Sequence, residues 1–330
     1  MAAASLAPPA PAVCGIYLLL DGNLRDPAIP WERTAPVTHA AAVTADLRTS
    51  LSALLRAGCR PAALVTPEHG FSGAGAPGEA EVSGGGPHLP VGTRWIDGYL
   101  AGPDALAEAM QGIEVVVVDL ADLGSRCSTN LSLLEDVLLA AAMLRARVVV
   151  LDRPNPLGRR VSGPSLRPEQ RSYVGRLRAP LRHGLSTGEA ALALAPPEAE
   201  VEVVVTRWDG SGSLDHPDQP WVPSSPDLPS AVAALCYSGT VLFEGVPGAE
   251  PRGTTSPFSV VGADWMTAEL VEEVDRLRLP GVRLRATTST PRWGPRLGEV
   301  FPWACLHIVD HRVADPQRVA VEAICAGPAA

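Results

Sequence analysis

The chain contains no lysine. All 27 basic residues among its 330 are arginines, so Schiff-base lysine chemistry and a phosphate-binding loop built on the P-loop lysine are both excluded. Aromatic residues are scarce, while alanine, proline and glycine abound. The Cys-x-x-Cys spacing is also missing. Cys14, Cys59, Cys127, Cys236, Cys305 and Cys325 lie far apart, which suits neither a zinc site nor a disulfide framework and fits a reducing compartment. The net charge is −9 with acids and arginines interspersed, so no basic stripe marks a nucleic-acid footprint. No apolar run approaches the ~18 residues of a membrane span. The N-terminal stretch MAAASLAPPAPAVCGIYLLLDG lacks a basic n-region, and prolines interrupt it. It reads as a loose tail over residues 1–12 leading into a strand, not as a signal peptide. The expectation is a cytoplasmic protein, with export by a route invisible in the sequence as the alternative. The histidines, as in Asp215-His216 and Asp310-His311, lack metal-ligand spacing, so neither a metal nor a cofactor is expected.

What is present reads as alternating strand and helix. Ala62–Val65, Val115–Val118 and Val148–Leu151 are short apolar runs without alternation, as expected for strands buried on both faces of a parallel sheet. The spacing predicts helices over Thr44–Ala57, Pro103–Met110 and Ser132–Arg145. A Rossmann-like α/β domain is therefore expected over residues 13–168. From 169 to 330 the pattern changes to a smaller α+β domain. It has a helix at Glu189–Leu194, a strand at Glu202–Thr206 and a Pro/Ser/Asp-rich loop at Asp209–Pro229. A helix at Thr267–Arg278 and strands at Val282–Ala286 and Cys305–Val309 follow. The Gly-rich segment 73–90 reads as a mobile loop.

Each of the three apolar strands ends in charge: Pro67-Glu68-His69, then Asp119 followed by Arg126, then Asp152-Arg153-Pro154-Asn155. In a parallel sheet these ends share one edge, where open α/β sheets bind ligands. Three segments would then deliver Glu68, His69, Asp119, Arg126, Asp152, Arg153 and Asn155 to one cleft. The plainer alternative is that strand ends are polar because they meet water. Glu68 at the end of a buried strand is expected to be partly desolvated, which suits a general acid. Pro67 and Gly70 fix its turn, and His69 fits a supporting, orienting role. Two motif matches are set aside. Gly73-x-Gly75-x-x-Gly78 opens no helix. Gly184-Leu185-Ser186-Thr187-Gly188 follows no apolar strand, and Ser186 with Glu189 forms a helix-opening capping box instead.

TPEHGFSG, VVVVDLADLGSR, VLDRPNPLGRRVSGPSL, RHGLSTGE, SSPDLPS and LFEGVPGAEPRGTTSPF followed by GADW occur in that order between about residues 60 and 310. Together they resemble the bacterial DUF1343 family, associated with exo-β-N-acetylmuramidases. The resemblance implies a Rossmann-like domain joined to a smaller domain with the site between them. It also implies hydrolytic release of non-reducing-end N-acetylmuramic acid from peptidoglycan fragments, in cell wall recycling if the protein is cytoplasmic. The family's glutamate falls on Glu68 as general acid, with His69 and Arg126 beside it. Asp119, Asp152, Arg153, Asn155, His183, Glu244, Glu250 and Arg252 are the implied substrate-binding positions. Arginines there suit the lactyl carboxylate of muramic acid. Asp119, Asp152, Glu244 and Glu250 remain open as the second carboxylate.

The chain departs from the family pattern at several blocks. Cys127-Ser128-Thr129-Asn130 stands where the family reads Phe-Tyr-Thr-Tyr, Asp227 replaces an asparagine, Pro247 replaces another, and Leu20 to Leu24 replace an N-terminal Thr-Asn-Pro-Thr-Gly. The family also continues through a further helical stretch after the position of Asp310. These departures frame a second reading, a homologue that binds muropeptides or amino sugars without turning them over. A third is an α/β enzyme acting on sugar phosphates, against which the absent glycine-rich phosphate loop counts. In each case the partner is a small molecule.

Overall fold

The computed structural model describes residues 14–23, 29–76, 78, 88–205, 208–216, 220–294 and 296–327. The expected tail over 1–12 and most of the glycine-rich segment lie outside the described residues. Five strands come first: β1 (Thr34–Thr38), β2 (Ala63–Thr66), β3 (Arg94–Asp97), β4 (Val115–Asp119) and β5 (Arg147–Leu151). A short antiparallel ribbon follows, β6 (Ser162–Ser165) with β7 (Pro180–Arg182), and then β8 (Val201–Val204). Six of these form one parallel sheet in the order β3-β2-β1-β4-β5-β8. This is the strand order of a doubly wound dinucleotide-type fold. The valine runs of β4 and β5 pair residue for residue, Val115 to Val118 against Arg147 to Val150.

Both faces of the sheet are covered. Leu106 and Met110 at α3 (Gly102–Ala109), the inner face of α4 (Thr129–Leu144) and Ala190, Ala191 and Leu194 of α5 (Thr187–Leu194) build the larger core. On the other face, Ile16 of α1 (Gly15–Leu18) and Leu54 of α2 (Ser50–Arg56) pack on Val115, Val117, Val149 and Leu151.

Three expectations need correction. The GIYL run is helical, not a strand, because Ile16 and Leu19 are buried against the sheet face rather than paired into it. The helix expected from Thr44 begins only at Ser50. Residues 44–49 form a turn closed by the Val43–Thr49 bridge, and Thr49 accepts from Ser52 N as the helix cap. The strand assigned to the second domain near 202–206 instead joins the first sheet as its sixth strand, paired with β5.

The smaller unit is an antiparallel sheet in the order β10-β11-β9, from β9 (Val260–Gly262), β10 (Val282–Ser289) and β11 (Phe301–Ile308). The helices α6 (Ala231–Thr240), α7 (Ala268–Arg276) and α8 (Pro316–Ala326) cover it. A further helix, α8, thus follows Asp310. Its start is readable in retrospect: Asp315 caps α8 and Pro316 takes the first helical position.

α6 and α8 touch backbone to backbone. A Cβ on Gly239 would stand 2.2 Å from the carbonyl carbon and oxygen of Pro316, so only glycine fits there. Gly239→Ala is expected to cost about 1–3 kcal/mol by overpacking. The measurement is a urea midpoint shift with an unchanged m-value.

Candidate active site at the domain cleft

The turn after β2 is tightly specified. His69 and Gly70 both have left-handed backbones, φ 68° and 73°, a conformation that glycine takes freely and histidine does not. The His69 imidazole closes the loop, its Nδ1 lying 2.8 Å from Gly75 O. A carbonyl only accepts, so Nδ1 carries the proton. The contact ties the turn that carries Glu68 to the loop that follows it.

That turn holds Glu68 at the cleft edge. Oε1 accepts from Gly78 N at 2.8 Å, and Oε2 accepts from the Thr129 hydroxyl at 2.8 Å. Thr129 is the first residue of α4. Tyr99 stands alongside; burial, then the Glu68 charge and a hydrogen bond to it, push the phenol above its ordinary value. Glu68 itself is half-buried.

The opposite wall comes from the smaller domain and the loop leading to it. Glu68, His69, Tyr99 and Thr129 face Asp227, Tyr237, Glu244 and Arg252 across a cleft of about 120 Å³. Arg252 pairs with Glu244, its backbone N donates to Glu250 Oε1 at 2.9 Å, and its guanidinium lies 5.5 Å from the Phe258 ring centre. Burial raises the Glu244 carboxyl despite Arg252, with the Glu250 and Glu68 charges adding to the effect. Burial likewise raises Asp227 against the pull of Arg252. Asp227 is 5 % exposed. Its Oδ2 lies 3.9 Å from Arg252 Nε, and neither atom has a hydrogen-bond partner among the described residues. An unanswered acceptor beside an unanswered donor is matched by a hydroxyl, which can satisfy both.

The remaining expected residues do not reach this cleft. Asp119 and Arg153 form a buried ion pair, and Arg153 also donates to Val43 O and to the Ser50 hydroxyl. Asp152 Oδ1 accepts from Gly188 N at 2.8 Å in α5. Asn155 donates to Leu185 O and accepts from Leu157 N, locking its own turn. His183 accepts from Leu185 N through Nδ1, so Nε2 donates to the buried Asp122 at 3.1 Å. Arg126 turns outward onto the β6–β7 ribbon, donating to Pro164 O and Ala179 O. Arg153 and Asn155 instead line a second crevice of about 390 Å³, together with Ala121, Trp208 and Trp221. Just past the paired ends of β1 and β4, His39 Nε2 accepts from Ala121 N at 3.0 Å. Of the three charged strand ends, only the first therefore contributes its carboxylate to the cleft, because the other two are consumed in holding the strand ends together.

Sequence reasoning did not single out Thr129 or Tyr99 as partners of Glu68, or Tyr237 as a residue of the same cleft. Thr129 had a signal, since it sits in the one block where the chain departs most from its family pattern. Tyr99 and Tyr237 reach Glu68's neighbourhood only through the fold.

Comparison with known proteins agrees with this architecture. The N-terminal family model of exo-β-N-acetylmuramidase NamZ matches residues 35–232, and the C-terminal model matches residues 235–327. The peptidoglycan β-N-acetylmuramidase NamZ of Bacillus subtilis (strain 168) is 31 % identical over 287 residues, covering 84 % of this chain and 69 % of its own. Two solved DUF1343 family proteins from Bacteroides fragilis NCTC 9343 are also similar. One superposes with a TM-score of 0.83 at 25 % identity, covering 96 % of this chain and 82 % of the other. The second has a TM-score of 0.66 at 24 % identity, covers 95 % and 80 %, and bears on the fold alone.

A carboxyl raised on folding stabilises the fold in full below the ordinary carboxylate range, and that contribution is lost as pH rises. Asp227→Asn removes the charged form and keeps the shape. Its melting temperature at neutral pH is expected to exceed that of the parent, and the gap to close as pH falls to about 4. Thermal melts across that range check the sign.

Proposed function

The chain belongs to the exo-β-N-acetylmuramidase NamZ family, and from that premise we propose that it hydrolyses the glycosidic bond of a terminal N-acetylmuramic acid in peptidoglycan fragments, with Glu68 as general acid. The observation that carries this reading is the pairing across the cleft. Glu68 stands on the rigid end of β2, while Glu244 and Arg252 approach from the other wall. Glycoside hydrolysis needs two carboxyl groups flanking the scissile bond, and Glu68 and Glu244 are our choice of pair. The Thr129 hydroxyl donates to Glu68 now, and it can turn to accept when the carboxyl is protonated. The contact therefore survives in either protonation state and keeps the Glu68 side chain in place at the cleft.

Arg252 supplies the cation for the lactyl carboxylate of muramic acid, its guanidinium lining the cleft wall. Asp227 beside it accepts from a sugar hydroxyl. His69 holds the Glu68 turn in place. Arg126, Asp152, Asn155 and His183 serve the site by fixing its supporting loops. No helix among the described residues is long and apolar enough to cross a membrane.

The test is release of the chromophore from a chromogenic N-acetylmuramic acid β-glycoside. Glu68→Gln is expected to lower kcat by about 10²–10⁴-fold with an unchanged melting temperature. Binding of muropeptides by the parent protein without any release would sink the hydrolase reading in favour of the non-catalytic one.

A further inference from the structure

A cavity of about 200 Å³ lies away from the Glu68 cleft, where the loop after β5 meets the smaller domain. It has room for a group far larger than a single water. Four arginines line it, Arg159, Arg160, Arg182 and Arg312, against one acid, Asp215. That acid is already engaged. Its Oδ1 lies 2.8 Å from His311 Nε2, and its Oδ2 accepts from Gly212 N at 2.9 Å. Arg159 is committed in part to Glu189 and to the Trp208 face, 4.1 Å from its centre. Arg160 donates through Nη1 to the carbonyls of Arg312 and Ala314.

Arg182, the last residue of β7, is different. It is 5 % exposed, its Nη2 donates to Leu157 O, and its Nε and Nη1 are buried with no hydrogen-bond partner among the described residues. A buried guanidinium with two unanswered N–H groups is costly. Burial, reinforced by Arg160, pushes it down to about 10, with Asp315 and Asp215 only partly offsetting this. Among the described lining residues the one acid, Asp215, is already held by His311 and Gly212 and offsets only part of this charge. We infer that this cavity is an oxyanion-binding site, with Arg182 as its buried anchor and Arg312 at its rim, taking a phosphate or carboxylate group. The oxyanion answers the N–H groups of Arg182 and joins the β5 loop to the His311–Arg312 loop.

Calorimetric titration with inorganic phosphate, and separately with acetate, at ionic strength held constant with sodium chloride, tests the inference. The parent protein is expected to bind at least one of the two. Its melting temperature should rise by ~2–4 °C at saturation. A preference for phosphate would identify a phosphate-type ligand, and a preference for acetate a carboxylate. Arg182→Met keeps the apolar stem and removes the buried charge; it is expected to weaken binding at least tenfold. If that variant fails to fold, Arg312→Ala at the exposed rim, expected to weaken binding several-fold, serves in its place. Response to neither anion, or a response that persists undiminished in the variants, overturns the assignment.

Discussion

The architecture depends on one buried ion pair. Asp119 ends β4 and Arg153 follows β5, so their contact locks two adjacent strand ends at the sheet's carboxyl edge. Arg153 reaches further, to Val43 O in the turn before α2, to the Ser50 hydroxyl at the start of α2, and to Cys14 Sγ ahead of α1. Burial lowers the guanidinium, but the Asp119 charge more than compensates and holds it above its ordinary value. One cation thereby organises two strands and the entry to two helices. Removing either partner would leave a buried charge unpaired, a loss of about 3–5 kcal/mol. A pair so placed is scaffold: its charges are engaged in holding the strand ends.

With that edge fixed, β2 is free to end differently. Its terminal turn makes no ion pair among the described residues. Instead, two left-handed residues and a histidine hydrogen bond aim Glu68 toward the smaller domain. The contrast between the locked ends of β4 and β5 and the aimed end of β2 separates support from site.

Legibility in the sequence followed burial. The valine runs of β4 and β5 were visible because strands covered on both faces need no polar residues. β1 was not, because Pro36 stands in its middle, at the centre of the sheet, where proline ordinarily argues against a strand. β3 was hidden by its charged, exposed edge residues. α6 was missed because it is buried on nearly every side, which erases helical periodicity. Within the cleft, Glu68 was readable from its turn. Glu244 and Arg252 came from family resemblance, since nothing local to their loop announces which wall they build. The oxyanion cavity had no sequence signature, because its arginines come from three separate segments.

The cleft rests on a small apolar cluster, Leu123, Leu228, Ala233, Tyr237, Val241 and Phe258, between the larger cores. Glu68 is carried by the parallel sheet, packed by a cluster on each face, and Glu244 by the neighbour of α6, packed by another. The gap between the two carboxyls is therefore inherited, a remainder left after separate cores have settled around that cluster. A methyl group gained or lost deep in either core is transmitted to that gap as displacement. Sites assembled this way drift by repacking at a distance, and the chemistry can be retuned or lost without a single change among the residues that touch the substrate.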